Sequence, residues 1–248
     1  MTSTTSSSPP DAPDAPARPW ERADLPQGEE KVEAVRAMFD AIAPRYDLVN
    51  RVMTFRLDVR WRRRAVAGLA LPPGSLVLDL AAGTGDLCVD LHRGGLLAVA
   101  VDLSFGMLLA DHSGAPRVQA DALALPVPRD SVEGVTCGFA LRNLVDLPAF
   151  FAELSRVVRP RGRIALLDVA VPEHLVLRWG HGVYFGRVVP WIGGLLSDPA
   201  AYRYLPKSVA YLPEAEELLE GLRRAGFEDV RRDLLSGGIT QLLTATRA

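Results

Sequence analysis

The chain has 248 residues, 48% of them hydrophobic and 23% charged, enough for one large domain with a substantial core. Its formal net charge of -2 excludes the strongly basic surface of a general nucleic-acid binder, so no nucleic-acid partner is expected. The two cysteines, Cys88 and Cys137, each sit among apolar residues without metal-ligand spacing, which reads as buried free thiols in a reducing compartment.

In chain order, residues 1–26 are rich in Ser, Pro, Ala and Asp, cannot bury enough surface to offset chain entropy, and read as a disordered tail without the features of a secretory signal. The remainder, 27–248, reads as one domain. Its first part, 27–73, is helical. Val32, Val35, Met38, Phe39 and Ile42 recur at helical spacing behind Glu29 and Glu30, and a second helical stretch runs from about Val59 to Leu69 before Pro72, Pro73 and Gly74 end it.

From Ser75 the texture changes. SLVLDL, LLAVAVD, PRVQAD, VEGVTCGFAL and GRIALLDVAV are short apolar runs separated by helix-length segments, the pattern of parallel strands covered on both faces. The segment 173–213 is rich in aromatics and glycine and too long for a simple connection, so it reads as a helical insertion forming a lid. A helix around Glu214 to Arg224 and two late strands, GFEDVRRDLL and ITQLLTATRA, close the chain. The expected fold is α/β: a doubly wound, mostly parallel, seven-stranded Rossmann-like sheet. No apolar run reaches about 18 residues, so a membrane span is disfavoured and a cytoplasmic protein expected.

In open α/β sheets ligands bind at the carboxyl ends of the strands, which directs attention to the first turn, DLAAGTGDL. Asp79, Ala81, Gly83, Thr84 and Gly85 are candidate cofactor residues there: the glycines admit close backbone approach and Thr84 adds a hydroxyl. A purely structural tight turn is the alternative. Asp79 and Asp86 would repel a pyrophosphate, and the third glycine of the dinucleotide fingerprint is missing. Asp102, about 17 residues after Gly85, ends the second strand where a carboxylate can accept from both ribose hydroxyls, and Asp121 follows the third strand where it can meet an adenine amino group. A nucleoside bearing an amino acid and a sulfonium, with no phosphate, satisfies this pattern. The four histidines, His92, His112, His174 and His181, do not pair with acidic or cysteine partners at metal-ligand spacing, so no metal is expected.

MFDAIAPRYDLVN, DLAAGTGD, DLSFGML, ADALALPV, GFALRN, AYRYLPKSV and SGGIT occur in this order from Met38 onward. Together they resemble the ubiquinone and menaquinone biosynthesis C-methyltransferase family, class I S-adenosylmethionine-dependent methyltransferases, from about Lys31 to the C-terminus. The resemblance implies cofactor contacts at Thr84, Asp102, Asp121 and Ala122, with a backbone contact at Gly138 where relatives often carry serine. It implies methylation of a carbon of a polyprenyl hydroquinone, with demethylmenaquinol preferred; another quinol, phenolic or lipid acceptor, the ubiquinone precursor, or a non-catalytic partner role in quinone synthesis are the alternatives. Arg142 is the candidate for placing positive charge beside the acceptor oxygen, with Asn143 orienting ring or cofactor. The alternative is a structural ion pair of Arg142 with Asp146 or Asp168, and Asn143 capping the next helix. Asp168 is a second catalytic candidate as proton acceptor, ion pairing being its alternative. Tyr46, Asp58, Tyr202 and Tyr204 are candidate acceptor-pocket residues, core packing being the alternative for the tyrosines.

Three positions depart from the family pattern: Arg56 and Asp58 stand where a glycine and a histidine are common, and Asp168 stands where a glutamate is common. The run RVMTFRLDVRWRRR holds six arginines, either a solvated face or a basic surface for peripheral contact with the inner face of a membrane. A homodimer is kept open as a partner alternative.

Overall fold

The computed structural model describes residues 27–172, 174, 179, 182, 184, 187 and 208–248. The tail, most of the 173–213 insertion, Tyr202 and Tyr204 lie outside the described residues.

Helix α1 (Gly28–Ile42) opens the domain with Glu29 and Glu30 in its first turn, where the helix dipole favours carboxylates. Its apolar residues divide between two surfaces. Ala34, Met38 and Ile42 are buried against the fold, while Val32, Val35 and Phe39 are half-buried and face a cavity. After a 3-10 turn containing Pro44 come α2 (Tyr46–Met53) and α3 (Leu57–Leu69). Between them Phe55 and Arg56 both adopt positive φ, 51° and 62°. Arg56, one of the three departures from the resembled pattern, therefore holds a left-handed conformation that glycine adopts more easily, at a cost of about 1–2 kcal/mol.

The sheet comprises β1 (Leu76–Leu80), β2 (Leu97–Asp102), β3 (Arg117–Gln119), β4 (Val132–Gly138), β5 (Val158–Val169), β6 (Phe227–Leu235) and β7 (Thr240–Arg247) in the order β3-β2-β1-β4-β5-β7-β6. The first five are parallel and β7 runs antiparallel to both neighbours. Helices α4 (Asp86–Arg93), α5 (Phe105–Leu109), α6 (Leu147–Val157) and α7 (Ala215–Arg224) complete the described layers. This is the doubly wound, mostly parallel arrangement the apolar runs predict. The period of two along β5 shows how it is covered: Ile164 and Leu166 join the core with Phe150, Phe151 and Leu154, while Ala165 and Leu167 join the opposite core with Trp61, Leu69 and Leu91. Cys88 and Cys137 are buried in these two cores and unpaired. No described helix is long and apolar enough to cross a membrane.

Chain order reverses between β1, which continues to β2, and its other neighbour β4, so the crevice at their carboxyl ends is the topological switch point.

Candidate active site

Two cavities meet at that switch point. The first, about 860 Å3 counting the space open at its mouth, is walled by α1 and by the turns after β1, β2, β3 and β4. The second, about 1820 Å3 on the same measure, lies beneath α2 and α3 and reaches Val169, Val209 and Ile239. Tyr46, Ala81, Gly83, Gly138 and Phe139 line both. At the junction Ala81 and Phe139, each the first residue past its strand, have φ of 52° and 60°, an uncommon conformation for residues with side chains and one that accumulates at functional sites.

The first cavity presents acceptors at fixed places. Asp102 receives the Gly83 N–H at 2.8 Å on one oxygen and the Ser104 N–H at 2.7 Å on the other, so the carboxylate that faces the cavity also ties the glycine turn to β2. Burial pushes its pKa up, and the Ser104 and Gly83 hydrogen bonds pull it back. Asp121 uses one oxygen on the Leu123 N–H at 2.9 Å, leaving the other for a ligand, and Ala122 packs beside it. Gly138 lines both cavities; an added Cβ there would come within 2.8 Å of the Leu87 side chain. Asn143 also lines the first cavity, and its Oδ1 is buried with no hydrogen-bond partner among the described residues. A buried acceptor left alone costs about 1–3 kcal/mol, so this atom is poised for a donor supplied by a ligand.

Three residues of the glycine turn lie off the wall of the first cavity. Asp79 lines neither cavity: it is fully buried under the turn, where Thr136 Oγ1 donates to it at 2.8 Å and Cys88 Sγ lies at 3.5 Å. Burial raises its pKa to about 7. Gly85 also lies off both walls; it caps α4 with φ 85°, and an added Cβ would strike Asp111 Oδ2 at 2.5 Å. Thr84 lines the second cavity and donates to Asp47 at 2.5 Å.

Arg142 lines the second cavity and is only 6% exposed. Its Nη1 donates to the carbonyl of Phe139 at 2.7 Å and pairs with Asp168, its Nε bonds Ser208 Oγ at 3.1 Å, and its backbone N–H reaches the other oxygen of Asp168 at 3.2 Å. Nη2 makes no hydrogen bond among the described residues. Asp168 itself is fully buried and lines neither cavity, so the fifth strand places it behind the arginine as an ion-pair partner rather than against an acceptor. Asn143 is not the helix cap; Asp146 is, accepting from the Ala149 N–H at 2.8 Å.

Asp58 lines the second cavity, but it accepts from Thr54 at 2.6 Å and pairs with Arg62 at 2.7 Å, and Arg62 also reaches Asp86 at 2.9 Å. The basic run is largely neutralised in place: Arg51, Arg62, Arg63 and Arg64 all face carboxylates. Tyr46 stands at the junction, edge-on to Phe39 with 5.9 Å between centroids, its phenol pushed up by burial. One grouping escaped the sequence spacing: His112 lies 3.3 Å from Asp86 and 3.7 Å from Asp47, their ligand atoms within 4.8 Å of one another, although 26 positions separate Asp86 from His112. Arg51 and Arg62 already compensate Asp86 there.

A doubly wound sheet whose switch point carries Asp102 and Asp121 on the wall of one cavity, beside a second large cavity, is an architecture that methyltransferases use. The fold recurs in a putative methyltransferase from an antibiotic biosynthesis pathway of Anabaena variabilis (25% identity, TM-score 0.54, covering 71% of this chain and 63% of that one). It also recurs in the [4+2]-cyclase SpnF at 16% identity (TM-score 0.62, 87% and 95%), a likeness of fold alone. Residues 27–247 match the model of the ubiE/COQ5 methyltransferase family. A demethylmenaquinone methyltransferase of Roseiflexus castenholzii is 41% identical over 234 residues, covering 90% of this chain and 97% of its own. A ubiquinone/menaquinone biosynthesis C-methyltransferase UbiE of Geobacter sulfurreducens is 38% identical over 230 residues, covering 88% and 90%. The chain belongs to the ubiE/COQ5 methyltransferase family. Its cofactor is S-adenosylmethionine, and the first cavity fits that group: Asp102 and Asp121 offer acceptors to a nucleoside, and Asn143 Oδ1 awaits a donor.

Proposed function

We propose that the enzyme methylates a ring carbon of a polyprenyl hydroquinone, with demethylmenaquinol as the preferred acceptor bound in the second cavity. The single observation that carries this reading is the meeting of the two cavities at Tyr46, Ala81, Gly83, Gly138 and Phe139, where a methyl group can pass from one occupant to the other. Bound S-adenosylmethionine supplies an electrophilic methyl on a sulfonium. Asp102 would hold its ribose hydroxyls, Asp121 its exocyclic amino group, and Asn143 Oδ1 a further donor.

On the acceptor side, Met53, Leu57, Trp61, Phe139, Val169 and Ile239 exclude water from an apolar ring system. Arg142 Nη2 is the cation available to a developing phenolate, and it stabilises the state in which ring oxygens push electron density to carbon. Asp168 is a positioning residue: it and the Phe139 carbonyl fix the guanidinium so that its orientation does not change during reaction. As the carbon–methyl bond forms and the methyl–sulfonium bond breaks, the ring carbon gives up its proton; the carboxylates on the cavity wall, Asp58 and Asp86, are both engaged by Arg62, so that proton and the hydroquinone O–H proton leave to water at the cavity mouth. Peripheral membrane contact would rest on exposed Leu48, Val52 and Phe55, the last of which lines the second cavity.

Turnover of a short-chain demethylmenaquinol tests the reading. Methyl transfer to that naphthoquinol, faster than to a demethylated benzoquinol of equal tail length, is the expected result; transfer to neither would overturn it.

A further inference from the structure

The turn Leu141–Asn143 serves both cavities, because Arg142 faces the acceptor side and Asn143 the cofactor side. What holds this turn comes from far away in sequence. Lys31 Nζ donates to the Arg142 carbonyl at 3.0 Å and to the Leu144 carbonyl at 2.9 Å, gripping the backbone on both sides of Asn143. The same ammonium lies 3.7 Å from the centroid of the Tyr211 ring, and Tyr211 belongs to the segment that also supplies Ser208 to the Arg142 guanidinium. Lys31 is 3% exposed and has no carboxylate partner among the described residues.

Burying an ammonium without an anion is costly, and a leucine or methionine would pack helix α1 at less expense. The ammonium is spent on two carbonyls that only a donor can hold, with the third side turned to an aromatic face. Helix α1 is also tied down further along: Asp40 accepts from Ser104 Oγ at 2.5 Å and from the Gly106 N–H at 2.8 Å, on the turn after β2. Lys31 and Asp40 are nine residues apart, about 13 Å along a helix. Between them Val32, Val35, Arg36 and Phe39 form the outer wall of the first cavity. The helix is thus a strap across that cavity, fixed to the turn after β2 at one end and to the turn after β4 at the other.

We propose that Lys31 is a positioning residue for methyl transfer: by gripping the carbonyls on either side of Asn143 it sets Asn143 toward the cofactor and Arg142 toward the acceptor together. The proposal rests on the reading of the two cavities given above. Its test compares Lys31→Met and Lys31→Arg with the wild-type chain in calorimetry with S-adenosylmethionine, steady-state kinetics with a short-chain demethylmenaquinol, and thermal melting. Lys31→Met should lower kcat by about 10–100-fold and weaken cofactor binding by about tenfold, with KM for the quinol within about threefold. Lys31→Arg, which keeps the charge and the donors, should restore kcat to within about fivefold of wild type. A Lys31→Met protein that melts cooperatively with wild-type kcat and cofactor affinity overturns the proposal, as does one that loses only melting temperature. Should Lys31→Met not fold, Tyr211→Leu carries the test: an about three- to tenfold loss of kcat at unchanged quinol KM is expected, and wild-type kcat overturns the proposal. Failure of the wild-type chain to bind S-adenosylmethionine overturns the cavity reading and this proposal together, whereas wild-type binding with an indifferent Lys31→Met overturns this proposal alone.

Discussion

The two cavities are built in opposite ways. Apart from helix α1, the first is assembled from the turns at the ends of four successive parallel strands, and its acceptors Asp102 and Asp121 are held by backbone N–H groups within a few residues or across one strand. The second draws Tyr46, Asp58, Arg62, Arg142, Val169 and Thr240 from across the chain, and its charged groups are held by one another. A site fixed by backbone tolerates change in its neighbours; one fixed by paired side chains fails as a unit when one partner goes. That is why the cofactor can be common to many such folds while the acceptor varies.

This contrast can be broken most severely at Arg142. Arg142→Ala leaves Asp168 buried and unpaired, so a stability loss of about 3–5 kcal/mol in denaturant melts should accompany a fall in kcat of at least about 100-fold. Arg142→Lys, keeping a charge but not the fork, should recover much of the stability and little of the rate. On the cofactor side Asp102→Ala should weaken S-adenosylmethionine binding by about 100-fold in calorimetry, since two hydrogen bonds to a charged acceptor are lost, with a smaller fall in kcat at saturating cofactor.

The smallest effect sharpens the contrast by acting beneath the turn rather than on it. Burial raises the pKa of Asp79 in the folded chain from the ordinary carboxylate range, about 4, to about 7. Its protonated burial therefore stabilises the fold fully below about pH 4, and this contribution is lost as pH rises through 7, because the unfolded chain releases the proton first. Asp79→Asn, neutral at every pH, should flatten that part of the stability profile and raise the melting temperature at pH 8 by a few degrees.

The centre of the sheet was legible because β1, β2, β4 and β5 carry short apolar runs, and β5 serves both cores with strict alternation. Helix α2 was not, since eight residues bounded by the 3-10 turn at Pro44 and by Thr54 carry too short a period to stand out. The place of Asp102, Asp121 and Asn143 on the wall of the first cavity was readable because they sit at or just past strand ends in contiguous motifs. The pairing of Arg142 with Asp168 was one of two open readings, and distances between elements had to decide it. Asp79 and Gly85 look like ligand residues in sequence because a motif records which residues share a turn but not which way each points. Lys31 left a fainter signal: it is one of only two lysines in a chain whose other cations are arginines.

The two cysteines have a practical consequence. Both thiols are buried, and burial pushes their pKa values well up, so neither forms the thiolate that alkylating reagents require. A single cysteine introduced at exposed Phe55 would then be the reactive thiol among the described residues, and a fluorophore attached there would watch the rim of the second cavity while native thiols stay in place.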